Sequence, residues 1–140
     1  MQVEKNKATV RRFIEAMNNR EFAILDQLLA PNVVRHCQAT PGIQVRSLDD
    51  FKEFLRRDFE AFPDAHQELH ILIAEDDKVA VYLTYRGTQM GPMGPFPASG
   101  KTVEANFLGI LRLEGDTIAE IWIEWDNLNI LTQLGHFPRQ

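Results

Sequence analysis

The sequence predicts an α+β domain in which helices come first and an antiparallel sheet follows. Two observations carry that prediction. Apolar residues recur at helical spacing as far as Phe62, and from Leu69 onward the period changes to two. Helices followed by hairpin-connected strands place the helices on one face of a meander. The 140 residues suit a single domain, here residues 1–140, and no stretch reads as a repeat or as low complexity.

The first helix is expected from Glu4 to Met17, where Val10, Phe13, Ile14 and Met17 form one apolar face. Asn18 and Asn19 end it. A short second helix runs from Glu21 to Leu29, with Phe22, Leu25, Leu28 and Leu29 as its stripe and Pro31 as its stop. Val33 to Cys37 reads as a short extended stretch, and Thr40-Pro41-Gly42 as a turn. Ser47 is a good N-cap for the third helix, with Asp50 near the positive end of its dipole. Leu48, Phe51, Leu55, Phe59 and Phe62 follow at helical spacing until Pro63.

Strand periodicity then takes over. Leu69, Ile71 and Ile73 alternate with His70, Leu72 and Ala74, and Glu75 to Lys78 turns the chain. Val79, Val81, Leu83 and Tyr85 alternate with Ala80, Tyr82, Thr84 and Arg86. The Gly- and Pro-rich segment from Met90 to Gly100 is expected to lie over a pocket mouth. Thr102 to Leu113 and Thr117 to Asp126 are the last two strands, followed by a short terminal helix from Leu128 to Leu134 that stops at Gly135. Both strand parities carry apolar residues, so the sheet needs a cover on each face. The helices supply one, and the sheet of a second copy is expected to supply the other, making a homodimer.

Composition narrows the function. The net charge is −5 and no basic face is evident, so nucleic acid is not an expected partner. The single cysteine, Cys37, forbids an intrachain disulfide, the N-terminus lacks an apolar signal core, and no run approaches the roughly 18 apolar residues of a membrane span. A cytoplasmic protein with no membrane partner is the expectation. His36, His66, His70 and His136 do not match a metal-ligand spacing, and the glycines of the Met90 loop lack a strand–GxGxxG–helix context. Neither metal nor cofactor is expected. Cys37 has no basic neighbour evident in sequence and reads as a small buried side chain.

The stretch richest in chemistry is Ile121-Trp122-Ile123-Glu124-Trp125-Asp126. Alternation puts Trp122, Glu124 and Asp126 on one face and Ile121, Ile123 and Trp125 on the other. A carboxylate desolvated by aromatic walls becomes a better base than it is in water. Asp126 also stands at a strand-to-helix junction, where Asp is a common N-cap. Both readings stand on spacing alone. His36 either enters a pocket or is a hydrogen-bonded, partly buried side chain.

Several pieces, in order along nearly the whole chain, resemble the SnoaL-like polyketide cyclase family of the nuclear-transport-factor-two-like superfamily. They are Val10-Arg-Arg-Phe-Ile-Glu-Ala-Met17, Leu28-Leu-Ala-Pro-Asn-Val33, Ala61-Phe-Pro-Asp64, Ile73-Ala-Glu-Asp-Asp-Lys-Val79, Tyr85-Arg-Gly-Thr88, Pro97-Ala-Ser-Gly-Lys-Thr-Val103, Ile121-Trp-Ile-Glu-Trp-Asp-Asn-Leu128 and Gln133-Leu-Gly135. The resemblance implies a cone-shaped curved sheet, a half-barrel, with three N-terminal helices enclosing a pocket and the long first helix across its open side. It implies an acid/base role for Asp126 in an intramolecular aldol closure of a polyketide methyl ester, without metal or cofactor. On that reading Asp126, His36 and Asn106 form the catalytic set. Trp122, Glu124, Tyr82 and Phe107 contact the substrate, a small apolar carbonyl compound, and the reaction is that of a lyase or isomerase. Two other readings use the same scaffold, a non-catalytic pocket for an apolar small molecule and a structural dimerisation domain. A ketosteroid-isomerase-like variant would draw its pocket hydroxyl from Tyr82.

Overall fold

The first helix, α1 (Gln2–Asn18), buries Val10, Phe13, Ile14 and Met17, the apolar face read from the sequence. The computed structural model of the protein describes residues 1–138. Asn18 closes α1 and locks it to the sheet: its side chain accepts from the Gln67 amide and donates to the Gln67 carbonyl, both at 2.9 Å. A second helix, α2 (Phe22–Leu28), passes directly into strand β1 (Leu29–His36). Pro31 therefore lies inside an edge strand, where its missing N–H leaves no ladder bond unmade. The third helix, α3 (Leu48–Ala61), starts where the Ser47 hydroxyl accepts from the Asp50 amide at 3.0 Å.

Four strands complete the sheet: β2 (His66–Glu75), β3 (Lys78–Thr88), β4 (Thr102–Glu114) and β5 (Thr117–Glu124), with helix α4 (Asn127–Gln133) after them. The spatial order is β1-β5-β4-β3-β2. The sheet is curved and unclosed, and it is mixed. β1 pairs with β5 in parallel, His36 opposite Trp122, while every other pairing is antiparallel. This corrects the all-antiparallel expectation: the long connection through α3 and the β2–β4 meander brings β5 back beside β1 in the same direction. Among the described residues the helices number four, the three N-terminal ones and α4.

Alternation along β4 separates the two faces. Val103, Ala105, Phe107, Leu111 and Leu113 are buried, while Glu104, Asn106, Leu108 and Ile110 are exposed. The inner face packs against the helices, so one core cluster joins Val10 and Phe13 of α1, Phe51 and Leu55 of α3 and the inner residues of β3, β4 and β5. The outer face carries exposed Ile71, Ile73, Leu108 and Ile110. The loop after β3 is anchored to the end of α3, with the Met90 and Gly91 amides both donating to the Ala61 carbonyl. A side chain at residue 91 would place its Cβ 2.5 Å from the Glu60 carbonyl oxygen, so that approach requires glycine.

Candidate active site

A cavity of about 480 Å³ lies between the inner face of the sheet and helices α1 and α3. Its walls are mostly apolar. Phe13, Ile14 and Met17 come from α1, Phe51, Phe54 and Leu55 from α3, and Val81, Leu83, Phe107, Ile121 and Ile123 from the sheet. The tip of the Gly- and Pro-rich loop, Met93 to Phe96, also borders the cavity, which agrees with its expected place at a pocket mouth. One wall is a run of stacked rings. Tyr85 and Phe107 lie parallel with centroids 5.3 Å apart, and Phe107 and Trp125 follow at 4.5 Å.

Few polar groups face this space, and two of them are charged. Asp58 is half-buried and lines the cavity. It sits on the apolar stripe of α3, at the spacing Phe51, Leu55, Asp58, Phe62. Burial pushes its carboxyl up to about 6, even though a hydrogen bond from Tyr85 and the charges of Arg35 and Arg20 pull the other way. The Tyr85 hydroxyl donates to Asp58 Oδ2 at 3.1 Å. Burial and the neighbouring Asp58 charge push the Tyr85 phenol upward, so the proton stays on Tyr85. The other charge is Arg35, whose guanidinium lies 4.1 Å from the Phe54 ring centroid and 5.8 Å from that of Trp125. The Trp125 indole N–H donates to Asn127 Oδ1 at 3.2 Å, and both residues border the cavity.

The residues singled out in the sequence lie elsewhere, with one exception. Phe107 lines the cavity. Asp126 is exposed and borders no part of the cavity; its carboxylate accepts from the Asn129 amide at 3.1 Å and caps α4. His36, Trp122 and Glu124 share the outer face. His36 stacks on Trp122 at 5.3 Å and approaches Glu120 Oε2 at 2.6 Å, while Glu124 accepts from the Gln38 amide at 2.9 Å. Asn106 accepts from Thr84 Oγ1 at 2.8 Å, and the same hydroxyl meets His70 Nε2 at 2.7 Å, on the outer face beside Tyr82. Alternation runs through β5 and on to Trp125 as expected, with Ile121, Ile123 and Trp125 turned toward the cavity and Trp122 and Glu124 turned away from it.

Sequence reasoning passed over Asp58, Arg35 and Tyr85. A signal existed for each. Asp58 breaks an apolar helical stripe, Arg35 shares the strand parity of buried Val33, and Tyr85 continues the inward series Val79, Val81 and Leu83. Cys37 also differs from expectation: it is half-buried and lies near the Arg35 guanidinium. Among the described residues, no group of three or more His, Cys, Asp or Glu side chains could hold a metal ion. Among the described residues, no helix is long and apolar enough to cross a membrane.

Similar solved structures cover nearly the whole chain. AclR from Streptomyces galilaeus, proposed to be a hydroxylase, is 24% identical, with a TM-score of 0.82 over 97% of this chain and 99% of that one. IdmH from Streptomyces antibioticus, proposed to be a polyketide cyclase, is 27% identical, with a TM-score of 0.81 over 93% and 98%. A protein of Jannaschia sp. CCS1, proposed to be a SnoaL-like polyketide cyclase, has the same fold at 21% identity, with a TM-score of 0.86 over 96% and 94%. No curated protein matches the sequence. The family model for SnoaL-like polyketide cyclase matches residues 7–134, and the chain belongs to that family.

Proposed function

We propose that the protein is a cofactor-independent lyase or isomerase of the cyclase type, which removes a proton beside a carbonyl of a small, largely apolar compound held in the inner cavity. Family membership and the cyclase proposed for IdmH support the general role. The observation that carries the reading is a carboxyl at Asp58 that borders an apolar cavity and is pushed to about 6. Such a group is ionised near neutral pH and is a stronger base than an ordinary carboxylate. Tyr85 holds it by a hydrogen bond and keeps its orientation. The ring wall of Tyr85, Phe107 and Trp125 offers flat apolar surface that would hold a substrate folded for intramolecular attack.

The test is exchange of the α-protons of 2-tetralone in D₂O, followed by proton NMR. The protein should accelerate exchange over buffer, with a rate that rises as pH passes through about 6 and Asp58 loses its proton. No acceleration at any pH would remove the proposal. Tight retention of 2-tetralone without exchange would favour the second reading, a binding domain, which the mostly apolar walls also suit.

The same proposal includes a cytoplasmic homodimer joined through the outer face of the sheet. Ile73 and Leu108, each 62% exposed, together with Ile71 and Ile110, supply the apolar patch. Sedimentation should show a dimer at micromolar concentration, and a monomer there would count against it.

A further inference from the structure

Arg35 is the cation among the cavity residues, and none of its side-chain nitrogens donates to an oxygen among the described residues. No carboxylate comes within ion-pair distance of it there. Instead it lies across the Phe54 ring and near the Trp125 ring. Burial pulls its proton affinity down, countered by Cys37, whose sulfur engages one of its N–H groups, and by the carboxylates of Asp58 and Glu124; the other N–H groups of the guanidinium meet no acceptor among the described residues. A guanidinium that rests on aromatic faces keeps its planar fork of donors free at the ring edges, and that fork matches a carboxylate bidentately. A second polar group on the cavity wall lacks any partner. The Thr40 Oγ1 atom is buried and has no hydrogen-bond partner among the described residues. Buried polar atoms in folded proteins are almost always satisfied, so an unmade bond that borders a cavity points to a ligand atom there.

From these two observations we infer that the cavity selects a ligand bearing a free carboxylate, which Arg35 grips and the Thr40 hydroxyl assists, with the apolar body lying along the Tyr85–Phe107–Trp125 rings. Arg35 is then a specificity-determining residue that prefers the acid over its ester. The inference rests on the inner cavity being the functional site, as proposed above, but it does not depend on Asp58 acting as a base.

The probes are 2-naphthoate and methyl 2-naphthoate, which share one aromatic body and differ in charge. Binding is read by calorimetry at pH 8. The wild-type protein should bind the acid at least about tenfold more tightly than the ester, in the range expected of charge-assisted bidentate recognition. Arg35→Met, which keeps an apolar stem between the rings, should lose the preference and leave ester binding within about threefold of wild type. Thr40→Val should weaken the acid and spare the ester. An ester that binds as well as the acid to the wild-type protein overturns the inference without any variant, as does a preference that survives in folded Arg35→Met. Asp58→Asn separates the two claims. The variant should keep the acid preference even if it loses proton exchange. Absence of any acid preference alongside exchange that requires Asp58 would overturn the carboxylate anchor and leave the base standing.

Discussion

Carboxylates on the two sides of the sheet are in opposite circumstances. On the inner side Asp58 is raised to about 6 because burial penalises its charge more than Tyr85 and the arginines favour it. On the outer side Glu120 is lowered, chiefly by its hydrogen bond from His36 and then by Arg112. Asp126, just past β5, is spent on a helix cap. A carboxylate close to aromatic residues in sequence therefore says little about its basicity. What decides it is which side of the sheet it faces and whether a cation or an apolar wall meets it there.

The largest expected difference between the faces is one of packing. Phe107 and Leu108 are neighbours on β4, yet Phe107 is 9% exposed and stacked on both sides, while Leu108 is 62% exposed. Phe107→Ala should cost about 3–5 kcal/mol in urea unfolding, as an emptied aromatic core site does. Leu108→Ala should stay within about 0.5 kcal/mol for the unfolding of the monomer, as exposed substitutions do. A comparable loss at both positions would break the distinction between the faces.

Next in size is the pH dependence that Asp58 imposes. Its carboxyl sits above the ordinary value of 3.8, at about 6, so the folded state binds the proton more tightly than the unfolded chain does. The stability from that proton is present below the unfolded value and is lost as pH rises through 4 to 6. Asp58→Asn abolishes this loss. Relative to wild type, the variant should gain on the order of 2 kcal/mol between pH 4 and pH 7, measured by denaturant unfolding at each pH. A difference that stays flat over that range would show that Asp58 is not desolvated.

The outer face should show the opposite sign and a smaller size. Glu120 is held below its ordinary range, so its contribution is present above the unfolded value and is lost as pH falls through its lowered folded value. The cluster with His36 and Arg112 is partly solvated, so Glu120→Gln should cost about 0.2–1 kcal/mol at pH 7 and less at pH 3. Smallest of all, Asp126→Asn should change the melting temperature little, because Asn caps a helix about as well as Asp.

Local rules recovered most of the elements. The α1 stripe, the Ser47 cap, the period change at the sheet and the terminal helix all depend on neighbours within a few residues, and each was legible. The parallel β1–β5 pairing was not, because it joins segments some 85 residues apart and leaves no local mark beyond β-propensity. Which side of β5 meets the cavity was not legible for a related reason. Alternation divides β5 into two faces but does not say which one the helices cover, and the run from Ile121 to Asp126, which extends past the strand, carries a tryptophan at each parity. The inward side is fixed only by long-range contacts. Asp58 was legible in principle, as a charge on the apolar stripe of α3.

The central claim is that proton transfer belongs to the inner face. It is tested most directly by the 2-tetralone exchange rate of Asp58→Asn and Asp126→Asn measured beside the wild-type protein, with circular dichroism to show that each is folded. Asp58→Asn should lose on the order of 10²–10⁴-fold, as expected when a general base is removed, while Asp126→Asn keeps the wild-type rate. A folded Asp58→Asn protein at full rate, with the loss appearing in Asp126→Asn instead, would contradict the account.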